Sequence, residues 1–409
     1  MSRQPTQAVL SNPHKPELGV ATVPLPIPMK EYDRTMELLK SLGIGAVFNQ
    51  DCHINGVTGE WASALHSLKN QSVNVDELDY LIKRLESFWG DEPAQFMAMA
   101  DKMNLTDMVS LINLTFCCQK ATVITDFNNL EEAGRQHYMN LNNGSVPIEE
   151  LERLDGRATA LQLIKSGEGF VTPYGVVFDN GMALEVIYDG KTLPPYLYEK
   201  SPLALTAKPS HAPKDAMQSV WLALPMSKQQ LDRALLRGGM FDTSEAEIEV
   251  DMDCLPSGIS ERFDLTSQSI EDLNAMCAAI ASLTVEEQLK LSAAVGFAKP
   301  NCALQVRNLA NTLDMFDFVP GVKTPTEYAK HVIQESGHFE YDENLEDFYD
   351  YEGYGTQRVN QEGGTFTEEG YIAFNSTISL EELMGRGPVG QQVGQSQPPS
   401  DGMTMGGIT

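Results

Sequence analysis

A fixed offset of 195 residues aligns Leu78 with Leu273, Asn113-Leu114 with Asn308-Leu309, and Glu132 with Glu327. It goes on to match Asp155 with Asp350, Gly169 with Gly364, Thr172 with Thr367, and Gly175 with Gly370. Identities are sparse, 12 over the 104 ungapped positions from 75 to 178, so the inference of a repeat rests on ordered landmarks and matching helix signals. Upstream, Leu25-Pro26-Ile27-Pro28-Met29 is echoed by Leu222-Ala223-Leu224-Pro225-Met226, each ahead of an amphipathic helix. A chain of 409 residues has room for two or three domains. The echo makes two tandem modules the expected organisation.

The expected boundaries are a flexible N-terminus over residues 1–19, a first module over 20–194, a linker over 195–218, a second module over 219–384, and a disordered tail over 385–409. The linker rests on Pro195, Pro202, Pro209 and Pro213 interleaved with Lys200, Lys208 and Lys214 between acidic flanks. The tail is Gly, Pro, Gln, Ser and Met with almost no large apolar residue, a composition that cannot bury enough surface to order itself. It spells a literal G-x-G-x-x-G from Gly385 to Gly390, but no strand precedes it and Pro388 stands where a helix should open.

Each module reads as the same run of elements. In the second, Val220 to Leu224 is a predicted strand, Ser227 to Leu236 a helix, and Ala246 to Met252 a strand alternating Ile248, Val250 and Met252 with acids. Ser269 with Asp272 and Thr284 with Glu287 form capping boxes for two helices, and Asn74 with Glu77 opens the matching helix of the first half, whose Leu78, Ile82, Leu85 and Phe88 fall on one stripe. A strand around Met315 to Val319, a helix opened by Thr324-Pro325-Thr326-Glu327, a further acidic helix and a closing strand from Gly364 to Phe374 complete the run. The expected class is α+β: small mixed sheets flanking a helical middle in each module, in an elongated, acidic molecule.

Fifty-seven acids against twenty-nine bases leave a formal charge of −28. Such a surface repels nucleic acid and anionic lipid and attracts basic surfaces, which excludes direct DNA or RNA binding. No run approaches the roughly 18 apolar residues of a membrane span, and the polar, proline-bearing start is unlike a signal peptide, so the expected location is cytoplasmic. The six cysteines form no C-x-x-C pair, and Cys117 and Cys118 read as buried thiols. The seven histidines fall in no H-E-x-x-H, and neither G-x-S-x-G nor a Walker A loop is present. Asp51-Cys52-His53 resembles a thiol beside its base, but adjacent strand residues point to opposite faces. No catalytic residue, metal or cofactor is assigned.

Two acidic constellations remain as candidates. Residues 335–352 hold eight acids (Glu335, Glu340, Asp342, Glu343, Glu346, Asp347, Asp350, Glu352), five aromatics (Phe339, Tyr341, Phe348, Tyr349, Tyr351) and no Lys or Arg. On one helix, Glu343, Glu346, Asp347 and Asp350 would form a row of carboxylates about 5–6 Å apart. On the predicted strand, Glu247, Glu249, Asp251 and Asp253 would share one face. A solvated face over an aromatic core is the plainer explanation of the helix, and partner binding the functional one. A calcium loop begun at Asp342 fails, with Asp347 at the turn glycine and Gly353 at the bidentate glutamate.

Asp350, Tyr351, Glu352, Tyr354 and Gly355, followed by Gly364, Phe366, Thr367, Gly370 and Tyr371, resemble the closing pattern of the ArdA antirestriction family, a D-Y-E-A-Y-G stretch and then a G-x-F-T-x-x-G-Y strand. Gly353 departs from the family's usual alanine, and Thr356-Gln357 from a common Arg-Asp pair. The resemblance covers residues 219–384; over 20–194 it is faint, so the first module reads as a degenerate ArdA-like copy. It implies a non-catalytic protein that mimics B-form DNA and occupies the DNA channel of a Type I restriction-modification enzyme, sparing incoming mobile DNA. It also implies phosphate-mimicking roles for Asp342, Glu343, Glu346, Asp347, Asp350, Glu352, Glu247, Glu249, Asp251 and Asp253. Tyr351, Tyr354, Gly355, Gly364, Phe366, Gly370 and Tyr371 are then structural motif residues.

At roughly 1.7 Å of duplex per phosphate charge, a charge of −28 corresponds to about 48 Å of DNA. Residues 1–199 have 26 acids and 15 bases, and residues 220–384 have 29 and 10, which makes the second module the better mimic. Family members are usually dimers, so the chain is expected as a monomeric pseudo-dimer or a homodimer, its partner a basic DNA-binding surface of a defence enzyme. The alternative is an acidic scaffolding module of a mobile element without antirestriction activity; an enzyme ranks third.

Overall fold

The computed structural model describes residues 4–385 apart from 70, 143, 198–199, 212–218 and 338–339, together with the backbone alone at 345 and 347. The first half opens with Thr6–Ser11 (β1), which pairs with Val20–Leu25 (β2) on one edge and Cys52–Thr58 (β3) on the other, and Ser72–Val73 (β4) extends the β3 side. After β2 come a cis Leu25–Pro26 bond and the helix Met29–Ser41 (α1). The helical middle is Val75–Glu86 (α2), Glu92–Lys102 (α3) and Met108–Leu114 (α4). A second sheet follows, built from Thr122–Ile124 (β5) and the hairpin Phe170–Thr172 (β6) and Gly175–Phe178 (β7), in the order β5-β7-β6. Its intervening helices are Leu130–Leu141 (α5), Ile148–Arg153 (α6) and Gly156–Lys165 (α7).

The second half runs through the same order. Leu203–Pro209 (β8) is central in the sheet β10-β8-β9, formed with Val220–Leu224 (β9) and Ala246–Asp253 (β10), and after β9 come a cis Leu224–Pro225 bond and the helix Lys228–Arg237 (α8). Then come Ile270–Ala281 (α9), Val285–Ala298 (α10), Ala303–Ala310 (α11), Phe316–Pro320 (β11), Pro325–Lys330 (α12), Tyr351–Glu362 (α13), Thr365–Phe366 (β12), Gly370–Phe374 (β13) and Leu380–Gly385 (α14). The last sheet has the order β11-β13-β12. From α2 and α9 onward, corresponding elements start 193 to 195 residues apart. Every ladder among the described strands is antiparallel, so these sheets are antiparallel and not the mixed sheets expected.

The chain divides into two compact units: residues 1–254 with 269–274, and residues 255–268 with 275–409. The first unit contains the whole first half together with the β10-β8-β9 sheet and α8, and the second contains α10 to α14 and the last sheet. This division does not fall at the expected linker. Two expectations need correction. Residues 6–11, expected as part of a flexible N-terminus, form a central strand with Ala8 and Leu10 fully buried, and residues 203–209, expected as linker, form another with Leu203, Ala204, Leu205 and Ala207 fully buried. Both are short apolar runs flanked by prolines, and averaging over those flanks conceals them. Residues 386–409 of the expected tail lie outside the described residues.

The aligned landmarks do the same jobs in each half. Asp155 and Asp350 are N-caps, accepting from Ala158 N–H at 2.8 Å and Gly353 N–H at 2.9 Å. The Thr172 and Thr367 hydroxyls close the final hairpins on the Gly175 and Gly370 carbonyls at 2.9 and 3.0 Å. Asn113 Nδ2 reaches Tyr188 O at 2.9 Å, while Asn308 Nδ2 reaches Leu383 O and Met384 O at 3.3 Å, so each ties a helix to the segment after its last strand. A Cβ on Gly355 of α13 would meet Pro325 O of α12 at 1.9 Å, and one on Gly134 of α5 would meet Gly156 O of α7 at 1.8 Å. The clash is with backbone, which cannot rotate away. Gly355→Ala should therefore destabilise the second unit by about 1–3 kcal/mol or more, read as a lowered denaturation midpoint; an unchanged midpoint would show that the helices slide apart without cost.

Candidate partner-binding site

The two acidic constellations lie in different units and are described separately. In the second unit, Glu343–Phe348 is a 3-10 helix opened by Asp342, whose carboxylate accepts from Asn344 N–H at 2.9 Å. The chain then breaks, and α13 starts afresh behind Asp350. This corrects the single acidic helix: Glu343, Glu346 and Asp350 do not share one α-helical face, because Asp350 leaves the helical conformation to cap the next helix. The side chain of Asp347 lies outside the described residues. Asp342, Glu343, Glu346, Asp350 and Glu352 are all exposed, and Glu346 has the ammonium of Lys330 at 3.8 Å.

The aromatic residues anchor this segment. Tyr341 and Tyr351 hydroxyls share the Gln334 side-chain amide at 3.0 and 3.1 Å, and the Tyr349 ring lies 5.9 Å from Tyr341 and 5.7 Å from Tyr351. Among the described aromatics of this segment, Phe348 is the exception, 83% exposed. Behind the segment, Tyr328 and Tyr371 stack at 3.9 Å and both donate to Glu362 at 2.6 Å. Burial and that carboxylate push Tyr328 up to about 12, so both phenols stay protonated donors. Gly364 makes room for this arrangement, since a Cβ there would meet the Tyr371 hydroxyl at 2.2 Å. Phe366 packs 5.4 Å from the Tyr371 ring, and Tyr354 packs partly buried beside Tyr328 and Tyr351. A Cβ on Gly370 would meet Val319 O of β11 at 2.2 Å. The motif residues thus build the platform, and the carboxylates sit on it.

In the first unit, Glu247, Glu249, Asp251 and Asp253 are exposed along the edge strand β10. Their regular alternation is interrupted by a bulge between Val250 and Met252. Lys208 Nζ, from the neighbouring β8, lies 2.7 Å from Glu249, and the Thr206 hydroxyl donates to Asp251. The face is therefore not wholly acidic, because a lysine assigned to the linker stands within it.

A buried polar network went unpredicted. Arg233 Nε and Nη2, on α8, each donate to an Asp76 oxygen at 2.9 Å, and Arg237 adds contacts to Asp76 at 3.3 Å, Asn74 Oδ1 at 2.8 Å and Val47 O at 2.9 Å. The Tyr32 hydroxyl also reaches Asp76, at 3.1 Å, and Asp33 accepts from the Ser227 hydroxyl at 2.6 Å and Gln229 N–H at 3.2 Å. Thus α8, from the second half, docks on α1 and α2 of the first. The partners are 157 and 161 residues apart, beyond the reach of any sequence window. Among the described residues, no group of three or more His, Cys, Asp or Glu is placed to hold a metal ion, and no helix is long and apolar enough to cross a membrane.

Compared with known proteins, residues 216–373 match the family of the antirestriction protein ArdA. The match encloses both acidic constellations and ends just inside β13. No curated protein matches the chain. The family match points to antirestriction as the function of this segment.

Proposed function

We propose, proceeding from the ArdA segment at residues 216–373, that the chain is a non-catalytic inhibitor. It offers carboxylates in place of DNA phosphates to the basic DNA channel of a restriction-modification enzyme, with a Type I enzyme as the first target to test. The carrying observation is the charge of the second unit, 21 acids against 8 bases over residues 255–268 and 275–409, with Asp342, Glu343, Glu346 and Glu352 exposed on an aromatic platform. A surface of that sign steers itself toward a cationic groove and excludes DNA from it.

We infer further that residues 20–194 descend from the same module. The shared element order, the matching sheet orders and the repeated roles of Asp155 and Asp350 support this reading. In the first unit α8 is held on α1 and α2 as a partner subunit would be, so a monomeric pseudo-dimer is the expected state. Reading a pseudo-dimer also predicts that Arg153 and Arg157, at the positions of Phe348 and Glu352, weaken the first half as a mimic.

Inhibition is expected to weaken by about tenfold or more between 50 and 200 mM salt, since carboxylates facing a basic channel compete with counterions much as phosphates do. The measurement is the inhibition constant of a purified Type I enzyme against its DNA substrate at each salt. Binding without competition against DNA would favour the scaffolding alternative, and potency unaffected by salt would remove mimicry.

A further inference from the structure

The three most exposed tryptophan and phenylalanine side chains among the described residues are Trp89, Phe241 and Phe348, at 85%, 83% and 83%. A lone exposed ring needs no explanation. These three stand among carboxylates: nine acids lie within four residues of them, where 57 acids in 409 residues would place about three. In the first unit, the Trp89 N–H donates to Glu92 Oε2 at 2.7 Å and the Phe241 N–H to Glu245 Oε2 at 2.8 Å. Each of these carboxylates is thereby tied to the backbone of the residue that bears the ring. In the second unit, Phe348 falls between the exposed acids Glu346 and Asp350. A carboxylate and a ring already share a cation there, since Lys330 Nζ lies 3.8 Å from Glu346 and 5.3 Å from the centre of the Tyr351 ring. A guanidinium comes closer. Arg84 Cζ lies 4.2 Å from the centre of the Phe116 ring, whereas Lys83 Nζ stands 5.7 Å from that of Tyr196.

We propose that Trp89, Phe241 and Phe348 each seat an arginine guanidinium of a protein partner, so that the chain recognises arginine-rich surfaces and not positive charge in general. A formal charge of −28 draws any cationic surface. The rings add a preference that charge alone lacks. A guanidinium is flat, so it lies face to face on an exposed ring while its N–H fork donates to the neighbouring carboxylate. An ammonium carries the same charge without the plane, so the carboxylate holds it and the ring adds less. This inference rests on the reading of the partner as a basic protein surface and narrows it to one side chain. Its test uses no restriction enzyme, so either reading can fail without the other.

The test is isothermal titration of the full chain with hexa-arginine and with hexa-lysine at about 150 mM salt, repeated on the triple variant Trp89→Leu, Phe241→Leu, Phe348→Leu. Leucine keeps an apolar side chain and removes the ring. The wild type is expected to bind hexa-arginine more tightly than hexa-lysine. In the triple variant the ratio of the two affinities falls by about threefold or more, while the affinity for hexa-lysine holds within about twofold. Equal affinity of the wild type for the two peptides would overturn the proposal, as would a ratio that the triple variant retains, since carboxylates alone would then select arginine. Loss of both peptides by the same factor, or no binding of either, would overturn it as well. Each ring is more than four-fifths exposed, so the fold is expected to survive its removal, and a melting curve run alongside checks this. The three single variants, each expected to lose part of the ratio, carry the same test should the triple variant be unstable.

Discussion

Reversing Glu343, Glu346 and Glu352 to lysine is expected to weaken inhibition by about a thousandfold while the protein stays folded. The figure takes about 1.4 kcal/mol per reversed carboxylate, the low end of the coupling energies of close interfacial charge pairs, hence on the order of 4 kcal/mol in all. These three residues are exposed and cap nothing by side chain. Asp342 and Asp350 are deliberately spared: each accepts a backbone N–H that opens a helical segment, and losing such a cap costs about 1 kcal/mol. Reversing them would confuse a binding defect with a folding one. Glu352 in the first turn of α13 contributes only about 0.3–1 kcal/mol through the helix dipole. The reading is the inhibition constant beside a melting curve. Full potency in a folded triple variant would sink the assignment of the partner surface to this segment. Reversal of Glu247 and Glu249 in the same assay then tells whether the β10 edge also faces the partner.

The largest stability effect is expected at Asp76. Asp76→Ala removes the shared acceptor of two guanidinium groups and the Tyr32 hydroxyl, with the side chains of Arg233, Arg237 and Asp76 only 12%, 5% and 8% exposed. Breaking a buried pair by deleting one member costs about 3–5 kcal/mol, because the other charge stays buried without compensation. For a unit of this size that is a fall of about 6–20 °C in the melting temperature of the first unit. Glu249→Ala is the contrast. Its bridge to Lys208 is exposed on the carboxylate side, and such pairs contribute about 0–1 kcal/mol. A melting temperature within about 2 °C of wild type for Asp76→Ala would mean that the arginines relax to solvent and that α8 is held by apolar contacts alone.

The acidic helix is where local reasoning came close and then failed. The spacing of Glu343, Glu346 and Asp350 suits an α-helix in isolation, but the same Asp350 is also an N-cap, and Tyr351 had to be buried at 9% exposure beneath it. A cap and a helix interior demand different backbone angles, so the segment splits. The sequence contained the competing signal, since Asp155 aligns with Asp350 and precedes a helix in the same way.

Caps and stripes are set by neighbours within a few residues, so they were legible from the chain alone. The capping box at Thr284, the helix opening at Thr324, the buried stripe of α2 and the Asn74 cap are such features. The central strands β1 and β8 were not legible. Each is only 6 or 7 residues long, and its burial comes from being paired on both edges, a fact held by residues far along the chain. The same limit hid Lys208 beside Glu249 and both arginines on Asp76. Net charge and its division along the chain follow from composition, whereas which carboxylates stand free, which are capped and which are buried is decided by tertiary packing. Electrostatic energy depends on the distance between charges and the solvent around them, and neither is written in the order of residues.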